Sequence, residues 1–310
     1  MAFNDAQNLF SVNGMVAVIT GGGSGLGLYA ARALDANGAK KVYIVGRREN
    51  VLKDAAKTAK NGTLVPLVGD VTDKDSLKAM VAHIERDEGS VNFLFANAGI
   101  AGPNSRASVP AMKAGGTTTV QEFSASLLET PMSDFTQVLN TNVTAVFYTA
   151  LAFLPLLEAA NNAGPPRRLA QDSQILITSS VAGFSRHLAS GFAYNVSKAA
   201  VNHLAKMIAT VSAQHRFHVR CNVVAPGLYP SEMTAGIVSK LDGFTGPAGH
   251  EGAFAGAVKM GTDRSPAERT GSEEDFAGTV LFMASRAGSY LNGEVLVSDG
   301  GRLSQLPATY

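Results

Sequence analysis

The sequence predicts an α/β fold in which about seven parallel strands form one doubly wound sheet with helices on both faces. Short runs rich in β-forming residues alternate along the chain with longer stretches of helical periodicity. Several of the short runs are apolar at consecutive positions, as expected for parallel strands that are covered on both faces. This alternation favours a sheet whose strands are joined by crossover helices.

The strands are predicted at residues 15–20, 41–46, 63–68, 92–96, 174–178, 217–224 and 294–297. The helices are predicted at residues 26–36, 49–60, 73–86, 133–158, 194–214 and 273–285. Two of these helices begin with Thr-Asp-Lys-Asp and Ser-Glu-Glu-Asp, which place capping and acidic residues at free backbone N–H groups.

Three connections are longer than usual, at residues 100–131, 161–173 and 228–270. Long loops are more often functional than filler, and doubly wound sheets bind ligands beyond the carboxyl ends of their strands. We therefore expect loops 100–131 and 228–270 to shape a substrate pocket. Nothing in the sequence marks a linker, so residues 1–310 are expected to form a single domain.

Composition limits the classes of partner. The net charge is +1 and no dense cluster of Lys and Arg occurs, which argues against a nucleic acid or an anionic membrane surface. The single cysteine, Cys221, excludes a disulfide within the chain and fits a reducing compartment. No His, Cys, Asp or Glu grouping has metal-ligand spacing, so no metal is expected.

No segment of the sequence suggests export or insertion into a membrane. Residues 1–8 lack the basic flank and apolar run of a secretion signal, so a cytoplasmic location is expected. The most apolar segment, residues 143–157, is shorter than a spanning helix and is interpreted as a buried helix.

The first predicted strand leads into residues 20–27, Thr-Gly-Gly-Gly-Ser-Gly-Leu-Gly, and then into a helix. Glycines allow backbone conformations closed to other residues and let a pyrophosphate approach the helix N-terminus. A tight turn would be the alternative, but the strand-loop-helix context indicates a Rossmann-like dinucleotide site. The residues assigned to it are Gly21, Ser24, Gly25, Leu26 and Gly27.

The end of the second strand indicates which nucleotide is bound. Arg47 and Arg48 stand where an acid would hold the ribose 2′-hydroxyl of NAD. Guanidinium groups grip a 2′-phosphate that a carboxylate would repel, so NADP(H) is predicted; alternatively, the two arginines are only solvated. After the third strand, Asp70 and Val71 are expected to receive the adenine, although Asp70 could instead cap the following turn.

Tyr194 and Lys198 lie four residues apart and therefore on one helical face, and Ser180 precedes the tyrosine by fourteen residues. A phenol with an ordinary pKa near 10 is a poor acid at neutral pH. An ammonium group beside it is expected to lower that pKa into a useful range. By themselves, Tyr194 and Lys198 could be two solvated side chains on the polar face of an amphipathic helix.

Taken together, these residues resemble the short-chain dehydrogenase/reductase family in its single-domain form. The resemblance spans nearly the whole chain and rests on Thr20 and the glycine loop, Asp70-Val71, Asn97-Ala98-Gly99, Asn142, Ser180, Tyr194, Lys198, Pro226-Gly227 and Asp299-Gly300-Gly301. It implies that Tyr194 is the acid/base, that Lys198 lowers its pKa and holds the nicotinamide ribose, and that Ser180 steadies the carbonyl oxygen. It further implies that Asn142 anchors a water relay behind the lysine.

The resemblance also extends the cofactor site. It adds Asn97, Ala98, Gly99, Pro226, Gly227, Leu228 and Ser231 to the residues that bind the dinucleotide. Two positions depart from the family pattern: Ala96 replaces an asparagine, and Ser231 stands where a threonine often contacts the cofactor amide. Ser179 is an alternative to Ser180, but the family's spacing favours Ser180.

Residues 225–234 look like the branch of NADPH-dependent 3-oxoacyl reductase-like enzymes, including rhamnolipid-type ketoreductases. The expected function is therefore NADPH-dependent reduction of a ketone to a secondary alcohol, in lipid or secondary metabolism. Two alternatives stay open: oxidation of an alcohol with NADP⁺, and a cofactor-binding scaffold or non-redox cyclase on the same fold.

Five residues that flank the catalytic segments are candidates for the substrate pocket, with ordinary packing as the alternative for each: Phe184, His187, Phe192, Tyr229 and Met233. Helices 133–158 and 194–214 carry more apolar surface than one sheet face needs. Self-association is therefore expected, and the family resemblance implies a homodimer or homotetramer through these helices. Residues 302–310 are expected to lie in an interface or to be disordered.

Overall fold

In the computed structural model of the protein, which describes residues 4–103, 118–165, 168–188 and 191–310, seven strands form one parallel sheet. The strands are β1 (Val16–Thr20), β2 (Lys41–Gly46), β3 (Leu64–Val68), β4 (Phe93–Ala96), β5 (Gln174–Thr178), β6 (Arg220–Pro226) and β7 (Val295–Ser298). Their order is β3-β2-β1-β4-β5-β6-β7, and every neighbouring pair is parallel. The predicted fold class is confirmed.

The helices that join and follow the strands are α1 (Ala6–Leu9), α2 (Gly25–Ala36), α3 (Glu49–Ala56), α4 (Lys74–Glu88), α5 (Val120–Leu128), α6 (Met132–Leu139), α7 (Ala145–Asn162), α8 (Phe192–Gln214), α9 (Ala235–Val238) and α10 (Glu273–Ala284). Short 3₁₀ turns lie at Val181–Gly183, Glu232–Thr234, Arg286–Gly288 and Arg302–Gln305. The predicted caps form: Asp73 accepts from the backbone of α4, and Ser272 forms a capping box with Asp275.

The sheet is buried on both faces by two apolar layers. Alternate residues of β1 point to opposite layers: Val16 and Val18 pack with α7 and α8, whereas Ala17 and Ile19 pack with α2 and α10. All five residues of β1 are buried, which explains why this strand reads as a continuous apolar run.

The direction of winding reverses beside β1. Strand β1 is followed in space by β2 and β3 on one side and by β4 on the other. The connections that leave the carboxyl ends of β1 and β4 therefore diverge and leave a crevice between them, which is where a doubly wound sheet binds ligands. The crevice contains the predicted site.

The predicted helix 133–158 is a longer helical stretch with an irregular turn. It is continuous from Met132 to Asn162, but residues Asn140–Thr144 form a π-helical turn between α6 and α7. By length and composition this stretch could cross a membrane. Here α7 packs against α4, β4 and β5 with residues such as Phe153 and Leu157 fully buried, as in a core helix.

Several boundaries differ from the predictions. The strand predicted at 217–224 is β6, which begins three residues later, at Arg220, because Arg216 and His218 have positive φ angles and form a turn. Helix α3 ends at Ala56 rather than at residue 60. Loop 100–131 contains α5, which begins with a capping box of Thr119 and Glu122; residues 104–117 of that loop lie outside the described residues.

Candidate active site

A cleft of about 400 Å³ opens at the carboxyl ends of the strands, where the sheet reverses its winding. Among the residues that line it are most of those predicted to bind a dinucleotide or to act on a substrate: Gly21, Ser24, Gly25, Leu26, Arg47, Arg48, Asp70, Val71, Asn97, Ala98, Gly99, Ser180, Tyr194, Lys198, Pro226, Gly227 and Ser231. Three predicted residues, Gly27, Leu228 and Asn142, do not line the cleft.

The glycine loop between β1 and α2 has the geometry of a phosphate cradle. Gly21 and Gly25 have φ angles of +66° and +51°, which other residues rarely adopt. Gly27 does not line the cleft, but it allows α2 to pack closely against the loop, because an added Cβ would lie 2.3 Å from the carbonyl oxygen of Gly21. Ser24 is the N-cap residue of α2, but its side chain makes no capping hydrogen bond. Thus the first-turn N–H groups of α2 suit an anionic diphosphate.

Two side chains join the carboxyl ends of three adjacent strands beneath this cradle. The Thr20 hydroxyl accepts hydrogen bonds from the backbone N–H groups of Asn97 and Ala98, at 3.0 and 3.1 Å. The Asn97 amide donates to the Thr20 carbonyl at 3.1 Å and accepts from the Thr178 hydroxyl at 2.9 Å. Asn97 and Thr20 therefore fix the floor of the cleft.

The nucleotide end of the cleft carries two arginines with different partners. Arg47 is 74% exposed, and its Nη1 lies 4.0 Å from a carboxylate oxygen of Asp70. Asp70 also caps the turn that follows, since it accepts from the Thr72 hydroxyl and N–H. These Thr72 hydrogen bonds, with a smaller contribution from Arg47, lower the pKa of Asp70. Asp70 therefore lines the cleft and caps the turn at once.

Arg48 crosses the mouth of the cleft to the 228–270 loop. Its Nη2 lies 2.7 Å from a carboxylate oxygen of Glu232, and both side chains are 59% exposed. The loop is also held to α2, because the Tyr29 hydroxyl donates to the Pro230 carbonyl at 3.0 Å. Sequence reasoning missed Glu232, which is 184 residues from Arg48 along the chain.

At the other end of the cleft, Ser180, Tyr194 and Lys198 converge. Ser180 follows β5, and its hydroxyl lies close enough to the Tyr194 phenol to lower the pKa of that phenol. Lys198 is buried, and its ammonium donates to the Thr178 carbonyl at 2.8 Å and lies 5.5 Å from the centre of the Tyr194 ring. Ser179, the alternative to Ser180, donates instead to the Lys198 backbone carbonyl at 2.9 Å and so holds β5 against α8.

The prediction that Lys198 lowers the pKa of Tyr194 is wrong for this structure. Burial raises the pKa of the Tyr194 phenol, and only the hydrogen bond from Ser180 opposes this rise. Lys198 points its ammonium at Thr178 rather than at the phenol oxygen. Burial also lowers the pKa of Lys198 from 10.5 to about 8, because the charged form is poorly solvated there.

Asn142 lies behind the cleft, in the π-helical turn between α6 and α7. Its amide oxygen accepts from the Ile100 N–H at 2.9 Å, and its amide nitrogen donates to the Ile100 carbonyl and to the Ser197 hydroxyl. A Cβ added at Gly99 would lie 3.1 Å from the Asn142 oxygen and 3.7 Å from the Lys198 ammonium. Gly99 therefore keeps open the space between Asn142 and Lys198.

Only two of the five residues predicted to form the substrate pocket line the cleft. Tyr229 and Met233 line the cleft, whereas Phe184, His187 and Phe192 do not. Tyr229 is 4% exposed, shares a hydrogen bond with Ser298 and packs edge-on against Phe276, so it serves mainly the core. Met233 is 51% exposed and free to contact a ligand.

No metal centre is visible in the part of the chain that the structure describes, where no group of three His, Cys, Asp or Glu side chains is placed to hold an ion. The residues in the cleft fit a different group. A glycine cradle, an open helix N-terminus and a Ser-Tyr-Lys cluster suit a nicotinamide dinucleotide.

Comparison with known proteins agrees with this geometry. The sequence model described as short chain dehydrogenase matches residues 15–242. The chain is 44% identical over 306 residues to the short-chain dehydrogenase/reductase PhomF of Diaporthe leptostromiformis, covering 98% of this chain and 97% of PhomF. It is 30% identical to the rhamnolipids biosynthesis 3-oxoacyl-[acyl-carrier-protein] reductase of Pseudomonas aeruginosa, covering 94% and 97% of the two chains.

Among solved structures, the chain is similar to the Pseudomonas aeruginosa RhlG/NADP active-site complex. The TM-score is 0.73 at 27% sequence identity, and the superposition covers 94% of this chain and 98% of the RhlG chain. That structure is a complex of RhlG with NADP at the active site.

Proposed function

The chain belongs to the short-chain dehydrogenase/reductase family, and we propose that it is an NADPH-dependent oxidoreductase that reduces a ketone to a secondary alcohol. The observation that carries the proposal is the convergence of Ser180, Tyr194 and Lys198 in the cleft that also holds the glycine loop. A bound nicotinamide dinucleotide supplies the hydride for such a reaction.

The chain's own residues supply position and a proton. Tyr194 donates its hydroxyl proton to the carbonyl oxygen of the substrate as negative charge develops there, and Ser180 donates a hydrogen bond to the same oxygen. Burial keeps Tyr194 protonated before the reaction, which suits a general acid. Lys198, with a pKa of about 8, is largely charged at neutral pH and stabilises the phenolate that remains.

Replacement of the Tyr194 proton is the next requirement. Lys198 is buried, and its ammonium lies 3.7 Å from the point where a Gly99 Cβ would be, while the Asn142 amide oxygen lies 3.1 Å from the same point. We assign to this gap a water that passes protons between Lys198 and solvent, with Asn142 holding it in place. The Asn142 side chain is itself fixed by Ile100 and Ser197.

The preference for NADP(H) rests on charge at the end of β2. Arg47 and Arg48 directly follow β2, where an NAD site has an acid, and Arg47 is exposed at the edge of the cleft. A guanidinium group binds a 2′-phosphate through paired hydrogen bonds. The RhlG complex with NADP supports the same preference.

The similarity to a 3-oxoacyl-[acyl-carrier-protein] reductase supports a ketone as substrate and a role in lipid or secondary metabolism. Loop 228–270 lines the cleft through Ser231, Glu232 and Met233 and is the part of this site that we expect to select the ketone. Alcohol oxidation with NADP⁺ uses the same groups in reverse, with the Tyr194 phenolate as the base.

The test measures the loss of NADPH or NADH absorbance in the presence of the purified protein and a ketone. NADPH and NADH are each combined with ethyl acetoacetate, α-tetralone and acetoacetyl-N-acetylcysteamine, and the matching alcohols are tested with NADP⁺. We expect ketone-dependent oxidation of NADPH with a higher kcat/KM than for NADH. A protein that binds NADPH but consumes it with none of these ketones would be a scaffold, and the proposal would fail.

We also propose that the protein works as a homodimer or homotetramer. Helices α7 and α8 present large apolar side chains to solvent in the single chain, with Phe147, Leu151, Met207 and Val211 between 36% and 54% exposed. Exposed apolar area of this kind on two long helices that cover the same face of the sheet is typical of a protein interface.

A further inference from the structure

Residues 307–310 form a short antiparallel pairing with residues 184–186, which follow Ser180 closely in the chain. The Arg186 N–H donates to the Pro307 carbonyl, and the Thr309 N–H donates to the Phe184 carbonyl, each at 2.8 Å. Ser185 and Ala308 are the bridged pair between these bonds. Of the two alternatives for residues 302–310, disorder is therefore wrong for 307–310, which dock on their own chain, and a place in an interface stays a prediction.

Side chains reinforce this pairing. The Tyr310 ring packs edge-on against the Phe184 ring with a centroid distance of 5.1 Å, and the Thr309 hydroxyl donates to the Phe184 carbonyl at 3.2 Å. Phe184 in turn packs against the buried core beside the sheet. The 307–310 segment thus presses the 184–186 segment onto the protein.

A single hydrogen-bonded turn joins Ser180 to residues 184–186. Ser180 is the N-cap residue of the 3₁₀ turn Val181–Gly183, and its hydroxyl oxygen accepts from the Ala182 N–H at 3.1 Å. The N–H groups of Phe184 and Ser185 both donate to the Val181 carbonyl, at 3.1 and 3.0 Å. A displacement of residues 184–186 would therefore be transmitted through a single tight turn to Ser180.

The same stretch is tied to the helix that carries Tyr194. The side-chain amide of Asn195 lies 3.4 Å from the Ser185 carbonyl and 3.5 Å from the His187 carbonyl. A Cβ added at Gly183 would lie 2.8 Å from the backbone carbonyl carbon of Lys198, so the turn is seated directly on α8. The stretch 181–187 is thus held between α8 and the 307–310 segment.

We propose that the 307–310 segment is a positioning element of the active site: it fixes the stretch 181–187 and thereby holds the Ser180 hydroxyl against the Tyr194 phenol. This inference rests on the proposed function, because its catalytic consequence requires that Ser180 and Tyr194 act on a carbonyl oxygen. None of residues 307–310 lines the cleft, so the segment acts only through Ser180.

The experiment compares the full chain with a variant that ends at Leu306 and with Thr309→Pro, which removes one of the two pairing N–H groups. With ethyl acetoacetate we expect kcat to fall about tenfold in both variants, because small displacements of catalytic groups are costly. The Kd for NADPH should stay within about twofold, since the segment does not touch the glycine loop. Amide hydrogen exchange of residues 181–187 should become faster.

Two comparisons separate positioning from general damage. Ala308→Pro is the matched control, because the pairing bonds use the N–H groups of Arg186 and Thr309 rather than that of Ala308. In a Ser180→Ala background, removal of 307–310 should cost no further activity, because the segment acts through the missing hydroxyl. A full additional tenfold loss there, or equal losses in Ala308→Pro and Thr309→Pro, would overturn the inference.

Failure of the proposed function would be recognised separately. If the full chain reduces none of the ketones, hydrogen exchange decides the structural part of the inference. Unchanged protection of residues 181–187 after removal of 307–310 overturns it, and faster exchange with unchanged NADPH affinity supports it.

Discussion

The ammonium group of Lys198 donates a 2.8 Å hydrogen bond to the carbonyl oxygen of Thr178, the last residue of β5. This bond ties α8 to the carboxyl end of a central strand and places a buried cation beside the Tyr194 ring. Burial of the cation lowers the pKa of Lys198 to about 8. One contact therefore links the sheet, the helix and the charge of the site.

Tyr194→Phe removes the proposed proton donor while keeping the ring. We expect kcat for ketone reduction to fall at least about a hundredfold, since general acid catalysis is typically of that size. NADPH binding, followed by nucleotide fluorescence, should change little. Near-native turnover by the variant would mean that another group protonates the substrate.

Lys198→Met should make the protein more stable at neutral pH and inactive. The pKa of Lys198 falls from 10.5 to about 8 on folding, so at neutral pH the folded state carries the full cost of burying the charge, on the order of a few kcal/mol. Between pH 8 and 10.5 the folded wild type loses this proton before the unfolded chain does, so the wild type gains stability as pH rises. The stability advantage of Met in chemical denaturation should shrink over that range.

Arg47→Ala should weaken binding of NADPH but not of NADH. The exposed guanidinium of Arg47 stands at the edge of the cleft and is the proposed partner of the 2′-phosphate. We expect the Kd for NADPH to rise about tenfold, the value of one charged hydrogen-bonded contact. Arg86→Ala, at an exposed arginine of α4 that does not line the cleft, is the control. Equal losses for both nucleotides would remove the basis for the NADP(H) preference.

Glu232→Gln should tighten NADPH binding. The Glu232 carboxylate pairs with Arg48 at the mouth of the cleft and would compete there with a 2′-phosphate. Exposed ion pairs contribute little, so we expect a decrease of about two- to fivefold in the Kd for NADPH and no change for NADH. Weaker NADPH binding would instead show that the pair holds loop 228–270 in the form that binds nucleotide.

Met207→Glu should disrupt self-association. Met207 is 54% exposed on α8, and a charge buried at an apolar interface would be costly. Native mass spectrometry at micromolar concentration should show a dimer or tetramer for the wild type and the 32.2 kDa monomer for the variant. Tyr290→Glu, at a fully exposed tyrosine, should leave the assembly intact. A monomeric wild type would contradict the proposal outright.

The fold could be predicted from local pattern because strands buried on both faces, such as β1, are continuous apolar runs bounded by turns. The π-helical turn at Asn140–Thr144 could not, since nothing in its composition distinguishes it from regular helix. The start of β6 was missed for a similar reason, because His218 adopts a positive φ that non-glycine residues seldom have.

In the site, residues tied to a local motif were predictable, such as Gly21 and Tyr194. Partnerships across the fold were not, and the Arg48–Glu232 pair is one example. The pKa of Tyr194 was misjudged because sequence spacing gives the distance between α-carbons along a helix but not the direction of the Lys198 side chain, which turns to Thr178.

The π-helical turn makes the length of the helical stretch Met132–Asn162 less tolerant of change than its composition. A π-helical turn takes up one residue more than an α-helical turn. Deleting one residue there would regularise the hydrogen bonding, but it would change which side chain stands where Asn142 meets Ile100 and Ser197. Homologous enzymes that share this architecture should accept substitutions along the stretch far more readily than single-residue insertions or deletions.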